Sequence, residues 1–199
     1  MTKIKICGLT RMEDIDAANL YMPDYIGFVF AESRRKVDKT TAKTLKNRLD
    51  PRIKTVGVFV NEPIENILSL IENGVIDIVQ LHSEENEKYI ENLKSKTGIL
   101  IIKAISVQNK GGVQKWNQSS ADYLLLDHKN GGSGQIFDWN LIGETTKPFF
   151  LAGGINIENV TAAINKTNPY AVDISSGAET NGIKDSKKIK EFIGRVRNG

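Results

Sequence analysis

The sequence predicts a compact, single-domain (β/α)8 barrel, and three observations carry that expectation. Eight short runs of apolar and β-branched residues alternate with segments of helical periodicity along 199 residues. Most of the runs stop at a residue able to do chemistry or to let the backbone turn. Ile4-Lys5-Ile6 stops at Cys7-Gly8, Ile78-Val79-Gln80-Leu81 at His82, and Leu124-Leu125-Leu126 at Asp127. Phe149-Phe150-Leu151 leads into Ala152-Gly153-Gly154, and Ala171-Val172-Asp173-Ile174 into Ser175-Ser176-Gly177. Parallel strands deliver their C-terminal ends to one rim, where α/β folds gather catalytic and phosphate-binding groups. The chain is short for such a barrel, which usually takes about 250 residues but can close with about 200. An open, doubly wound sheet is the alternative architecture.

In order along the chain, strands are expected near 3–6, 25–30, 54–60, 76–81, 99–105, 122–126, 148–152 and 170–174. Glu13 to Tyr21 reads as the first helix, with Ile15, Ala18 and Leu20 on its apolar face. Helices follow over 40–49 and 63–72. In the second of these Ile64, Ile67, Leu68 and Ile71 recur at i, i+3, i+4 and i+7. Asn61 with Pro63 serves as its start signal and Gly74 as its stop. Further helices fit 84–96, 156–166 and 185–197. Segment 106–120 places Gly111-Gly112 among Asn, Gln and Ser, so the fifth helix is expected to be short or absent. No repeat, low-complexity tract or linker interrupts the chain, so one domain is assigned to 1–199.

Hydrophobic content of 40% with 26% charged residues describes a globular chain in water. The 27 basic and 24 acidic residues give a net charge of +3 and are interspersed, without the basic stripe a nucleic-acid partner would need. Lys184 to Lys190 has helical spacing and reads as a solvated face. One cysteine excludes an intrachain disulfide and fits a reducing compartment. The N-terminus opens into a strand rather than a signal peptide, and no apolar stretch approaches the roughly 18–20 residues that span a bilayer. A cytoplasmic protein without a membrane partner is expected, monomeric by default, with a dimer left open.

The strand-end residues each have a plain reading and a chemical one. Cys7 is either a small buried hydrophobe or a base, and a base must be thiolate, against a free pKa of about 8.5. Asp127 either caps a turn or pairs with Lys129, or serves as an acid. After it come Gly131-Gly132-Ser133-Gly134 and Phe137-Asp138-Trp139, a loop able to pass close to a ligand but lacking the lysine and spacing of a Walker motif. Gly153, Gly154, Ser176 and Gly177 end the last two strands, where barrels often bind phosphate through backbone N–H groups. In Arg34-Arg35, one guanidinium on the rim suits a planar carboxylate. His82 reads as core residue, substrate contact or proton carrier. His128 is the only other histidine, and no metal-ligand set is evident.

Together these residues resemble the phosphoribosylanthranilate isomerase family, cofactor-free (β/α)8 enzymes of tryptophan biosynthesis. The resemblance runs almost end to end, through Lys5-Ile6-Cys7-Gly8-Leu9-Thr10, Gly27-Phe28-Val29-Phe30 and Val79-Gln80-Leu81-His82. It continues through Leu126-Asp127 with its glycine loop, Leu151-Ala152-Gly153-Gly154-Ile155, and Val172-Asp173-Ile174-Ser175-Ser176-Gly177-Ala178-Glu179. It implies an Amadori rearrangement of N-(5-phosphoribosyl)anthranilate, a small-molecule substrate, with Cys7 as general base and Asp127 as general acid. It implies substrate contacts from Arg35, His82 and Asp173, and phosphate contacts from Gly153, Gly154, Ser176 and Gly177. No cofactor or metal is called for, because the substrate's own nitrogen is the electron sink. These roles predict a bell-shaped pH profile with Cys7 governing the acidic limb and Asp127 the basic limb. The chain departs from the family pattern at Ser33-Arg34-Arg35, where Ser-Pro-Arg is usual, and at Ser83, where glycine is common. Competing readings are a sugar-phosphate epimerase, an aminoaldose isomerase of histidine biosynthesis, and a non-catalytic phosphate-ligand sensor. The epimerases typically need metal ligands not evident here, the histidine-pathway enzyme an aspartate where Cys7 stands, and a sensor would be expected to lack Cys7 or Asp127.

Overall fold

Eight parallel strands close on themselves in simple order, each hydrogen-bonded to the next and the eighth to the first. The computed structural model describes residues 1–128 and 136–199. The strands are β1 (Lys3–Cys7), β2 (Tyr25–Val29), β3 (Lys54–Phe59), β4 (Ile78–Leu81), β5 (Leu100–Ser106), β6 (Tyr123–Asp127), β7 (Phe149–Leu151) and β8 (Ala171–Ile174). Outside them lie α1 (Met12–Tyr21), α2 (Lys39–Arg48), α3 (Ile64–Glu72), α4 (Glu87–Thr97), α5 (Val160–Thr167) and α6 (Ser186–Asn198). A two-stranded hairpin, β9 (Glu179–Thr180) with β10 (Ile183–Lys184), stands between β8 and α6. Closure excludes the open sheet. Among the described residues no helix is long and apolar enough to cross a membrane.

The fifth helix is reduced to one 3-10 turn, Gln114–Trp116, as the glycine-rich segment foretold; Gly111 there takes φ +90°. Among the described residues, the connection after β6 also carries one 3-10 turn, Trp139–Leu141. Period-two alternation along the strands then sorts the side chains. Ile4, Ile6, Leu124 and Leu126 join the shell packed beneath the helices, whereas Tyr25, Val56, Ile78, Ile102, Leu125 and Phe150 fill the barrel interior. Tyr25, Tyr123 and Tyr170 make edge or tilted contacts with Phe150. That layer leaves the other end free for polar groups.

Three local expectations are corrected. Leu20 is 69% exposed, while Ala17 joins Ile15 and Ala18 in the core. Five residues of helix carry Leu20 about 140° around the axis from Ile15, off the buried face. Asn61 does not cap α3: Pro63 is its N-cap, and Asn61 sits earlier at φ +50°, giving its backbone N–H to Glu85. Lys184 is buried rather than solvated, because Glu179 compensates its charge at 2.6 Å. Gly74 does end α3, at φ +62°.

Candidate active site

At the C-terminal ends of the strands a cavity of about 230 Å³ opens. Cys7 from β1, Asp127 from β6, Asp173 from β8, and Gln80 and His82 from β4 and its loop all line it, together with Arg35, Gly153, Gly154 and Ser176. Gly177 does not line it. A side chain at Gly177 would stand 2.6 Å from the Ile155 carbonyl oxygen, so this glycine lets the last two βα loops pack against each other. The Gly131-Gly132-Ser133-Gly134 loop and Lys129 lie outside the described residues.

The thiol occupies a tight berth. Cys7 is paired with Gly27 across β1 and β2, and a Cβ at Gly27 would lie 2.7 Å from the Cys7 Sγ. Two residues back on the same face, Lys5 is wholly buried, with its Nζ 3.0 Å from Asp173 Oδ2. Burial would lower the Lys5 pKa, but the charge of Asp173 and its hydrogen bond prevail, so the ammonium persists. Burial pushes the Cys7 thiol above its ordinary value, with the Lys5 ammonium opposing and Asp173 assisting the rise. The resting group is therefore thiol, and thiolate is a minor form at neutral pH.

Asp127 is 7% exposed and held from two sides. Its Oδ1 accepts the His128 backbone N–H at 2.7 Å, and its Oδ2 lies 3.3 Å from His82 Nε2. Any side chain at Gly153 would stand 2.8 Å from the His128 nitrogen and 3.1 Å from Asp127 Oδ1, so Gly153 makes room for the acid as well as facing the cavity. Gln80 Nε2 donates to His82 Nδ1 at 2.8 Å. Beneath the His82 loop, Glu85 accepts from Ser83 N and Asn61 N, each at 2.9 Å, and pairs with buried Lys103 at 2.8 Å. Ser83, where the family commonly has glycine, also accepts from the Asn61 side chain at 3.2 Å. His82 thus stands on a loop pinned by a buried ion pair.

On the same rim, after β8, Glu179 gathers three cations. Arg35 grips it through Nε at 2.6 Å and Nη2 at 3.1 Å, Arg34 at 2.7 Å and Lys184 at 2.6 Å. Burial would raise the Glu179 pKa, but the hydrogen bonds from Arg35 and Lys184 prevail and hold it low. The bidentate grip uses two of the five guanidinium N–H groups of Arg35. Gly8 is required beneath it: φ is +82°, and a Cβ there would meet Arg35 Cδ at 2.4 Å. Arg34, standing where the family usually has proline, ties the β2 loop to the β9–β10 hairpin instead of stiffening it. Glu179→Ala is expected to cost about 3–5 kcal/mol, because Lys184 would be left buried and uncompensated. Arg34→Ala, half exposed, should cost under about 1 kcal/mol; urea unfolding of both variants compares them.

Sequence reasoning did not assign roles to Lys5, Gln80, Gly27 or Glu179. A signal existed for the first two: each sits two residues before a chosen site residue, and alternation puts both on the cavity side of their strands. Among the described residues no group of three or more His, Cys, Asp or Glu side chains is placed to hold a metal ion.

A closed parallel barrel with thiol, carboxylate and imidazole at its C-terminal mouth places the protein among the barrels whose reactive groups gather on that rim. A family model described as N-(5'-phosphoribosyl)anthranilate (PRA) isomerase matches residues 4–195. The chain belongs to that family. It is 48% identical, over 100% of both chains, to the N-(5'-phosphoribosyl)anthranilate isomerase of Endomicrobium trichonymphae. Among solved structures it resembles the phosphoribosyl anthranilate isomerase of Thermotoga maritima, with TM-score 0.90, 36% identity and full coverage of both chains. It also resembles a phosphoribosyl anthranilate isomerase in complex with reduced 1-(o-carboxyphenylamino)-1-deoxyribulose 5-phosphate, with TM-score 0.87, 35% identity and full coverage of both.

Proposed function

We propose that this protein isomerises N-(5-phosphoribosyl)anthranilate to 1-(2-carboxyphenylamino)-1-deoxyribulose 5-phosphate, a step of tryptophan biosynthesis, by general acid–base catalysis. The observation that carries the reading is that Cys7 and Asp127, 120 residues apart in sequence, line one small cavity. Asp127 gives a proton to the furanose ring oxygen, the ring opens, and the substrate nitrogen becomes an iminium. That iminium acidifies the C2 hydrogen, and the Cys7 thiolate removes it. The enolamine formed then tautomerises to the ketone. Electrons move into the substrate's own nitrogen and back. The test is to add enzymatically generated phosphoribosylanthranilate and follow the loss of its fluorescence, with and without a chelator. Decay at the same rate in both supports the reading, and no decay overturns it.

Arg35 orients the anthranilate carboxylate, supported by its place in the cavity wall and by the N–H groups that the Glu179 grip leaves over. Arg35→Ala should raise KM by at least about tenfold, as loss of a charge-assisted pair implies, while Arg34→Ala should do less. The reverse ranking in steady-state kinetics would transfer the role to Arg34.

The phosphate is assigned to the loops after β7 and β8, through backbone N–H groups near Gly153, Gly154, Ser176 and Gly177. Support comes from Gly153 and Gly154, at φ +71° and +70°, and from Asn159, whose amide donates to the Gly154 carbonyl at 2.9 Å and braces the turn. Gly154→Val should raise KM strongly, by strain at positive φ and by blocking close approach. Inorganic phosphate should inhibit the parent competitively and the variant less; unchanged KM and inhibition would move the phosphate elsewhere.

A further inference from the structure

The isomerisation needs one proton more on the His82–Asp127 pair than the surrounding hydrogen bonds provide. An amide nitrogen only donates, so Gln80 Nε2 at 2.8 Å requires His82 Nδ1 to be bare. The single imidazole proton then sits on Nε2, facing Asp127 Oδ2 at 3.3 Å. There it stands between Nε2 and Oδ2, so a proton carried on Oδ2 would meet an N–H rather than an acceptor. A second fault lies beside the first. Gln80 is 1% exposed, and its Oε1 is buried with no hydrogen-bond partner among the described residues. A buried carbonyl left unpaired is costly.

One movement removes both faults. The oxygen and nitrogen of an amide are nearly the same size, so half a turn about the last side-chain bond needs no extra space. Oε1 then accepts a proton carried on Nδ1. Nε2 is freed to share a second proton with Asp127 Oδ2, either as N–H donating to carboxylate or as carboxyl O–H donating to nitrogen. The amide NH2 turns to the buried place the oxygen held. We propose that Gln80 is a positioning residue that sets the proton inventory of the acid: its amide oxygen against His82 admits the catalytic proton, and its amide nitrogen expels it. This rests on Asp127 as the general acid.

Other ionisable groups surround the pair: Cys7 and Lys5 from β1, Glu32 and Arg35 after β2, Glu85 and Lys103 under the His82 loop, His128, and Asp173 from β8. All remain when only Gln80 is changed, so substitution there isolates its part. Gln80→Met keeps the length without donor or acceptor, and Gln80→Glu keeps the shape as an acceptor only.

The experiment is 15N NMR of the histidine-labelled full chain against pH, with kinetics on the same proteins. The chain has two histidines, so a His128→Gln variant assigns the signals. In the parent, Nδ1 should be bare above the proton-uptake midpoint of His82 and protonated below it. A hydrogen bond to an ionised group is roughly twice as strong as a neutral one, so Gln80→Met should lower that midpoint by about half to one pH unit. Its kcat at neutral pH should fall about three- to tenfold, with KM unchanged. In Gln80→Glu, Nδ1 should stay protonated on both sides of the midpoint. An Nδ1 that keeps one state throughout in the parent would overturn the proposal, as would a slower Gln80→Met with its midpoint unmoved. If Asp127→Asn turns over normally, the acid assignment fails and takes this proposal with it. If Asp127→Asn is inactive and Gln80→Met shifts nothing, only the role of Gln80 fails.

Discussion

Cys7→Ser is expected to lower kcat by at least about 10²-fold with little change in KM. Serine keeps the shape, and its smaller oxygen relieves rather than strains the approach to Gly27, where a Cβ would already lie 2.7 Å from sulfur. The variant should fold as the parent does, so the loss reports chemistry. Burial raises the thiol, against the Lys5 ammonium that favours thiolate. A hydroxyl in the same berth is a far weaker acid, and Lys5 cannot make up the difference. The sign of the pH dependence follows: thiolate is scarce at neutral pH and grows as pH rises toward the raised thiol value. Iodoacetamide alkylation of the parent should therefore accelerate with pH well past neutrality, and the same assay on Cys7→Ser should show no such reaction. Near-normal turnover of a folded Cys7→Ser would reduce Cys7 to a core residue.

Cys7, Asp127 and His82 were legible because a parallel barrel turns strand ends into neighbours, and strand ends can be read from apolar runs. What the runs could not show is which distant groups hold them. Glu179 meets Arg34 across 145 residues, and Lys5 meets Asp173 across 168; only closure of the barrel creates those pairs. Lys184 was misread because helical spacing on a lysine-rich segment resembles a wet face until a carboxylate from the preceding strand is placed against it. Asn61 resembled a cap because asparagine before proline usually starts a helix, whereas here its backbone N–H is claimed by Glu85. Gly153 and Gly177 were read as ligand-facing glycines. Part of their need for hydrogen at Cα is internal, one beside Asp127 and the other against Ile155.

Asp127→Asn should lose at least about 10²-fold in kcat, within the 10²–10⁴-fold range of a general acid, because an amide keeps the shape and has no useful proton to give. Its Oδ1 can still accept the His128 N–H, so the loop should hold. The pH profile is the sharper reading. Assigning the acidic limb to Cys7 and the basic limb to Asp127 presumes that the thiol ionises first, and burial of Cys7 reverses that order. Carboxylic acids are stronger acids than thiols in water, and burial widens that gap for Cys7. Thiolate with protonated acid is then the minor tautomer of the singly protonated site. The bell survives, with the raised Cys7 thiol governing its basic limb. Between the limbs the parent rate should be flat, since each loss of acid is matched by a gain of thiolate. Without the acid, that compensation is gone. The residual activity of Asp127→Asn should instead climb about tenfold per pH unit until the thiol has ionised. A variant that keeps both the flat region and near-normal turnover would show that Asp127 only shapes its turn.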